Sequence, residues 1–287
     1  MNKVKIITDS TNDLGSDLIA KLDIHVCPLS VSFSDESYLD GVDIDVEKLY
    51  KKVEELNELP KTAAYPIPLF EEVFKKYIDE GYDIIYTGIS KQMSRTFENA
   101  YMAAQEVAPD RIFIVDSMNL STGIGLLLLK ACKYRDQGLS AAEIADRLNT
   151  DNKRVLSQFA IEKMDYLHKG GRCSSVAKIF GTLLKIKPII AVRDGKMHVM
   201  KKPLGKMKVA LDHMIKQIIQ DKDRLDLDHI MITHSLAFDY CDYIYNELKK
   251  EFSDIDIICT VAGCVISSHC GKGTIGILYM IKEDSSN

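Results

Sequence analysis

The sequence predicts an α/β fold built as two α/β domains, and three observations lead there. Short Val- and Ile-rich runs alternate with helical periodicities through the first half of the chain, which implies a parallel or mostly parallel sheet. Polar clusters close the strand runs: Thr8-Asp9-Ser10, Ser90 to Thr96, Asp116-Ser117 and Thr233-His234-Ser235. Polarity rises from Asn149 to Lys153 and the pattern then changes, so a boundary is placed there, dividing the chain into 1–152 and 153–287.

Val4 to Ile7 reads as a buried strand, and Ser10 or Thr11 can cap a helix beginning near Asp13 and carrying Leu14, Leu18, Ile19 and Leu22. Ile24 to Phe33 reads as a second strand. Asp43 or Asp45 opens a helix through Val46, Leu49, Val53 and Leu56. Lys61 to Pro68 reads as a loop, because the residue before each proline avoids helical geometry. A helix from about Leu69 stops at Gly81. Tyr82 to Thr87 is the next strand, followed by a polar loop and a helix through Ala100, Ala104 and Val107. Arg111 to Val115 is a fourth strand. A long helix then runs to Gln137 and Gly138, and Ser140 with Glu143 forms a capping box for another.

Beyond the boundary, Val155 to Ile161 is a strand. Pro188 to Arg193 and Lys196 to Met200 flank Asp194-Gly195, a strong hairpin signature. A helix through Val209, Leu211, Met214, Ile215 and Ile218 follows. Then come a strand at Ile230 to Thr233, a helix at Tyr240 to Phe252, a strand at Ile255 to Val261 and a last strand at Ile275 to Ile281.

Composition narrows the function classes. A net charge of −5 provides no basic footprint for nucleic acid. The aliphatic run ending at Leu129 is too short to span a bilayer, so no integral membrane segment is expected. Seven cysteines without framework spacing point to reduced thiols, and the start of the chain has no signal-peptide pattern, so a cytoplasmic protein is expected.

One stretch concentrates candidate chemistry: Met164-Asp165-Tyr166-Leu167-His168-Lys169-Gly170-Gly171-Arg172, followed by Ser174, Ser175 and an apolar segment to Leu184. Paired glycines let the backbone turn or approach a ligand, and Arg172 stands at the mouth of a predicted helix, where an anion is favoured. The same residues also suit an ordinary turn bearing a surface arginine. Likewise, the polar strand ends suit both ligand binding in an open α/β sheet and simple helix capping.

Other motifs carry less. Gly271-Lys272-Gly273-Thr274-Ile275-Gly276 matches GxGxxG but lacks the following helix and acidic residue of a dinucleotide site, and no P-loop is present. Cys264, His269 and Cys270 fit no common zinc spacing. Ser94 or Ser235 with His269 lacks the GxSxG elbow of a hydrolase. No cofactor or metal is expected.

Five segments together resemble the DegV family: Ile7 to Leu14, Lys61-Thr62, Ile89 to Thr96, Tyr166 to Arg172, and His269-Cys270-Gly271-Lys272-Gly273. Their order is that of the family, and the resemblance runs from about Lys3 to Ile281. It implies a cytoplasmic bacterial protein that binds one long-chain fatty acid at or near the interface of two α/β domains. It further implies presentation of the carboxylate to a separate ATP-using fatty acid kinase subunit, which makes an acyl phosphate. By the same resemblance Thr62 and Ser94 hold the carboxylate, while Arg172 and His269 lie at the head-group rim or serve the partner's reaction. This chain departs from the family pattern at Ala63-Ala64-Tyr65, at Gln92 and Arg95 around Ser94, and at Lys272. Apolar residues near the glycine turn, Ile179, Phe180, Leu183, Leu184 and Ile186, are expected to wall the tail pocket. The competing reading is an enzyme, a small-molecule kinase or phosphatase using the anion site on a phosphorylated substrate. A transcription regulator is a more distant one, because no helix-turn-helix with a basic face is evident.

Overall fold

The computed structural model describes residues 2–177 and 186–283. The first sheet has the order β2-β1-β6-β7 and is wholly parallel, with β1 Lys3–Asp9, β2 Ile24–Cys27, β6 Tyr82–Gly88 and β7 Ile112–Asp116. Neighbouring residues of its strands feed opposite faces. Ile7, Ile84 and Tyr86 pack with α3 (Ile67–Asp79) and α4 (Thr96–Val107), while Ile6 and Ile85 pack with α5 (Thr122–Asp136) and α6 (Ala141–Asp151). Burial on both faces explains why these strands are mostly apolar rather than strictly alternating.

The second sheet is mixed, in the order β10-β9-β8-β13-β11-β12. Its strands are β8 Val155–Ala160, β9 Ile189–Arg193, β10 Lys196–Lys201, β11 Leu225–His234, β12 Asp256–Val261 and β13 Ile275–Ile281. Only β11 and β12 pair in parallel, so the mostly parallel sheet expected from strand–helix alternation describes the first sheet alone. The hairpin and the closing strand β13 reverse the chain direction. Asp194 (φ 50°) and Gly195 (φ 73°) make the predicted turn of the β9–β10 hairpin. One face of this sheet carries α9 (Met207–Gln220) and α10 (Phe238–Glu251); the other faces α5. Helix α5 therefore lies between the sheets, touching β1 and β6 on one side and β8, β11 and β13 on the other. Its first half, Thr122 to Leu128, is buried on every side and therefore carries no charged residue, while the charged residues Lys130, Lys133, Arg135 and Asp136 fall in the second half.

Several local expectations are corrected. The predicted strand Ile24 to Phe33 is two strands in different sheets, because Pro28 interrupts pairing after Cys27. Its second part, β3 (Ser30–Phe33), joins β4 (Glu36–Leu39) and β5 (Lys61–Ala63) in a small antiparallel sheet. Lys61 to Ala63 is thus a strand rather than loop, and Thr62 sits opposite Val31. Neither Ser10 nor Thr11 caps the first helix. Asp9 caps a 3-10 turn over Ser10–Asn12, and α1 (Ser16–Lys21) begins after Gly15. Asp45 does cap α2 (Val46–Leu56), and the Ser140–Glu143 capping box is formed. The glycine stretch folds as α7 (Asp165–Gly170), ended by Gly171 at φ 69°, with α8 (Ser174–Ala177) following. Arg172 stands between them, as expected. A further helix, α11 (Cys264–Cys270), lies in a stretch for which no element was predicted and carries His269 near its end.

Candidate functional site

A cavity of about 530 Å³ opens beyond the carboxyl ends of the parallel strands, where an open α/β sheet offers loop ends to a ligand. All four residues singled out from the sequence, Thr62, Ser94, Arg172 and His269, line it. Its apolar wall includes Leu29, Ile89, Met93, Leu120, Val265 and Ile266. Of the expected tail-pocket residues, Ile179, Phe180, Leu183 and Leu184 lie outside the described residues. Ile186 is buried and bridges Leu204 without joining the cavity lining, so the described wall comes from strand-end loops and α11 instead.

Buried ties fix the loop that bears Ser94. Asp9, fully buried at the end of β1, accepts the Ile89 amide at 2.9 Å and the Tyr86 hydroxyl at 3.0 Å. A Cβ at Gly88 would lie 2.2 Å from Asp9 Oδ2, so only glycine lets β6 end against this carboxylate. Burial pushes the Asp9 carboxyl above its ordinary range, against the hydrogen bonds from Thr11, Ile89 and Tyr86. The loop then turns back over Ser90. Ser94 Oγ accepts the Thr96 amide at 3.2 Å and pairs with Thr96 Oγ1 at 2.9 Å, at the start of α4. An anion at Ser94 would therefore face the positive end of a 12-residue helix.

Thr62 reaches the cavity from β5, and its Oγ1 lies 2.9 Å from His269 Nε2, joining residues 207 positions apart. The imidazole is pressed against the glycine stretch: a Cβ at Gly170 would stand 2.5 Å from His269 Nδ1. Reciprocally, a Cβ at Gly271 would stand 2.8 Å from the Tyr166 ring. The two glycine motifs of the sequence are thus one interlocked structure, each supplying the gap that the other's ring fills. His269 Nδ1 is buried without a hydrogen-bond partner. A proton on Nε2 suits this arrangement, since it leaves a lone pair rather than an orphaned N–H at Nδ1. That tautomer donates to Thr62 Oγ1 and frees the threonine proton for an anion. Burial first, and the neighbouring Arg172 charge second, push the His269 pKa down to about 4, so the ring is neutral near pH 7.

Arg172 is exposed at the rim and donates from Nη1 to the Gly170 carbonyl at 2.7 Å. Lys91 and Arg95 add positive charge to the same lining and Glu98 a negative one. Gln92, one of the departures from the family pattern, packs on the β9–β10 hairpin, 3.2 Å from where a Gly195 Cβ would be. Neither suggested serine–histidine pair forms, because His269 engages Thr62 while Ser235 bonds to Tyr50 and Ser267. Gly271 to Gly276 leads into β13, not into a helix, as the rejected dinucleotide fingerprint would require. No group of three or more His, Cys, Asp or Glu suited to a metal ion occurs among the described residues.

Residues 3–282 match the family model described as "Uncharacterised protein, DegV family". A DegV domain-containing protein of Clostridium acetobutylicum is 36% identical over 282 residues, spanning 98% of this chain and 100% of the relative. The chain belongs to the DegV family. Among solved DegV structures, one from Thermus thermophilus, described as fatty acid binding, superposes with a TM-score of 0.90 at 26% identity, covering 98% of this chain and 100% of that one. A DegV lipid binding protein from Thermotoga maritima superposes at 0.86 with 29% identity, covering 98% and 99%. No helix among the described residues of this DegV chain is long and apolar enough to cross a membrane.

Two contributors to the site were not legible in the sequence: the Asp9 tie and helix α11. Asp9 lay inside a quoted motif, yet its role depends on Gly88 and Ile89, some eighty residues away. The segment of α11 is short and follows Gly263, which hid its period.

Proposed function

We propose that this chain binds one long-chain fatty acid in the 530 Å³ cavity, its carboxylate held by Thr62 and Ser94. The observation that carries the reading is the convergence of Thr62, Ser94, Arg172 and His269 on one cavity with an apolar wall. Solved relatives described as fatty acid or lipid binding support it. Roughly 14 buried methylenes at about 0.8 kcal/mol each give on the order of 11 kcal/mol, from which association and chain ordering subtract a large part. The tail therefore supplies most of the affinity, while two hydroxyls and a helix start fix the head group in register.

In this reading the ligand lies between two units, 1–152 and 153–287, of a cytoplasmic protein that works without a cofactor. The head group faces the rim cations, where a separate ATP-dependent kinase subunit would reach it and form an acyl phosphate. A carboxylate held by neutral hydroxyls keeps its oxygens nucleophilic, and Arg172 offers positive charge to an incoming phosphoryl group. Organic extraction of the purified protein and mass spectrometry should recover near-stoichiometric fatty acid. Lipid-free protein that also refuses added palmitate and oleate would overturn the assignment. Phosphate release or ATP turnover by the chain alone would favour a free-standing enzyme instead.

A further inference from the structure

Helix α11 supplies Val265, Ile266, His269 and Cys270 to the cavity, yet residues from the other half of the chain hold its beginning. Asp40 accepts the Cys264 amide at 2.7 Å and the Val265 amide at 3.3 Å. Asp13 accepts the Gly263 amide at 2.8 Å and the Ser121 hydroxyl at 2.5 Å. Both side chains are buried, Asp40 at 4% and Asp13 at 6% exposure. They converge on one point: a Cβ at Gly263 would lie 3.2 Å from each Asp40 oxygen and 3.3 Å from Asp13 Oδ1. Orphan amides at a helix start favour carboxylate partners, but two carboxylates in one dry site resist being ionised together. A proton retained on one of the two carboxyls resolves that conflict.

We propose that Asp13 and Asp40 are positioning residues of the cavity, a buried carboxyl pair that seats α11, so that fatty acid is held more tightly while one of the two stays protonated. This inference rests on the fatty-acid reading of the cavity. The charged neighbours bearing on Asp13 are Asp40 and Asp9, both negative, and with burial as the largest cause its carboxyl is pushed up to about 8. Asp40 is also raised, mainly by burial, although the Cys264 and Val265 amides and Ser10 oppose the shift. From α11 itself, Cys270 faces Asp13 and its thiol is pushed up to about 12, first by burial and then by Asp13. Cys264 stands beside Asp40 with its thiol raised, burial again leading. His269, at about 4, is already neutral through the neutral range. The aspartate pair is therefore the group at α11 whose charge changes from neutral to mildly alkaline pH.

The test is a fatty-acid affinity profile from about pH 6.5 to about pH 9, using palmitate with the full chain. Wild type should weaken about threefold to tenfold across that range, and Asp13→Asn should flatten the profile. Asp40→Asn removes the neighbouring charge, lets Asp13 ionise more easily and should move the fall to lower pH. Superimposable profiles for wild type and Asp13→Asn would overturn the proposal. Should that variant fail to fold, carbon-13 NMR of the Asp13 carboxyl in wild type replaces it. Linkage requires its midpoint to rise when palmitate binds, and an unmoved midpoint overturns the proposal equally. Palmitate binding that is indifferent to pH sinks this inference alone, whereas absence of binding at every pH sinks the fatty-acid reading along with it.

Discussion

His269 and Thr62 meet across 207 residues, and their contact is where single substitutions are most informative. Ser94→Ala and Thr62→Ala each remove one hydroxyl and leave the apolar wall in place. A hydrogen bond to a charged group is worth about 1.5–3 kcal/mol, so fatty-acid affinity measured by titration should drop roughly tenfold to a hundredfold without vanishing. Arg172→Ala and His269→Ala should weaken binding less and partner-dependent acyl phosphate formation more; equal turnover with a competent kinase subunit would reject the rim assignment. Gly170→Ala tests the interlock. Its methyl would need the space of His269 Nδ1, 2.5 Å away, so the ring must move and the Thr62 contact must break. Overpacking of this kind costs about 1–3 kcal/mol in denaturant unfolding. The ring also predicts an acid limb. Its pKa drops from 6.5 unfolded to about 4 folded, so the stability it contributes is whole above 6.5 and is lost as pH falls toward 4. His269→Gln should remove that part of the loss from an unfolding series over the same range.

At the scale of elements, α11 and β5 are short, and neither would persist alone. Each exists because partners distant in sequence complete it: Asp13 and Asp40 for α11, and β3 for β5. Helix α6 is the contrast. Its capping box is local, with Ser140 Oγ accepting the Glu143 amide and Glu143 accepting the Ser140 amide at 2.8 Å. None of its residues lines the cavity. Ser140→Ala should therefore lower unfolding free energy by about 1 kcal/mol while fatty-acid affinity stays at the wild-type value. A parallel fall in affinity would mean that the cavity responds to general loosening of the first sheet, and would weaken any residue-level conclusion drawn from Ser94 or Thr62.

For the molecule as a whole, α5 ties the two sheets into one apolar cluster, so ligand binding at one end of that cluster should stabilise both. Delipidated protein should melt lower than protein as purified, and added palmitate should restore it. The gain is about 2.7 kcal/mol at a hundredfold excess over Kd, read as a rise in Tm. A flat Tm across the titration, with delipidation verified, would argue against a lipid site in the folded chain. Alkaline pH should act in the opposite sense. Asp13 rises from 3.8 unfolded to about 8 folded, so its stabilising contribution is complete below 3.8 and lost as pH climbs through 8. Urea unfolding at about pH 6.5 and about pH 9 should show wild type losing stability that Asp13→Asn does not lose.

The sequence by itself determined the α/β class, three of the four strands of the first sheet, the β9–β10 hairpin and the α6 cap, and its resemblance to a family pointed to the four residues that line the cavity. Those features depend on neighbours a few positions apart: alternation, a serine three residues before a glutamate, an Asp-Gly pair, or a motif whose order is itself informative. Tertiary structure decided the rest. The second sheet is mixed because β13 returns between β8 and β11, a pairing no local pattern encodes. Lys61 to Ala63 is a strand only because β3 is beside it. The glycines at 88, 170 and 271 are each a gap filled by a carboxylate or ring from another part of the chain. Close packing assigns such gaps, and it acts between residues that the sequence keeps far apart.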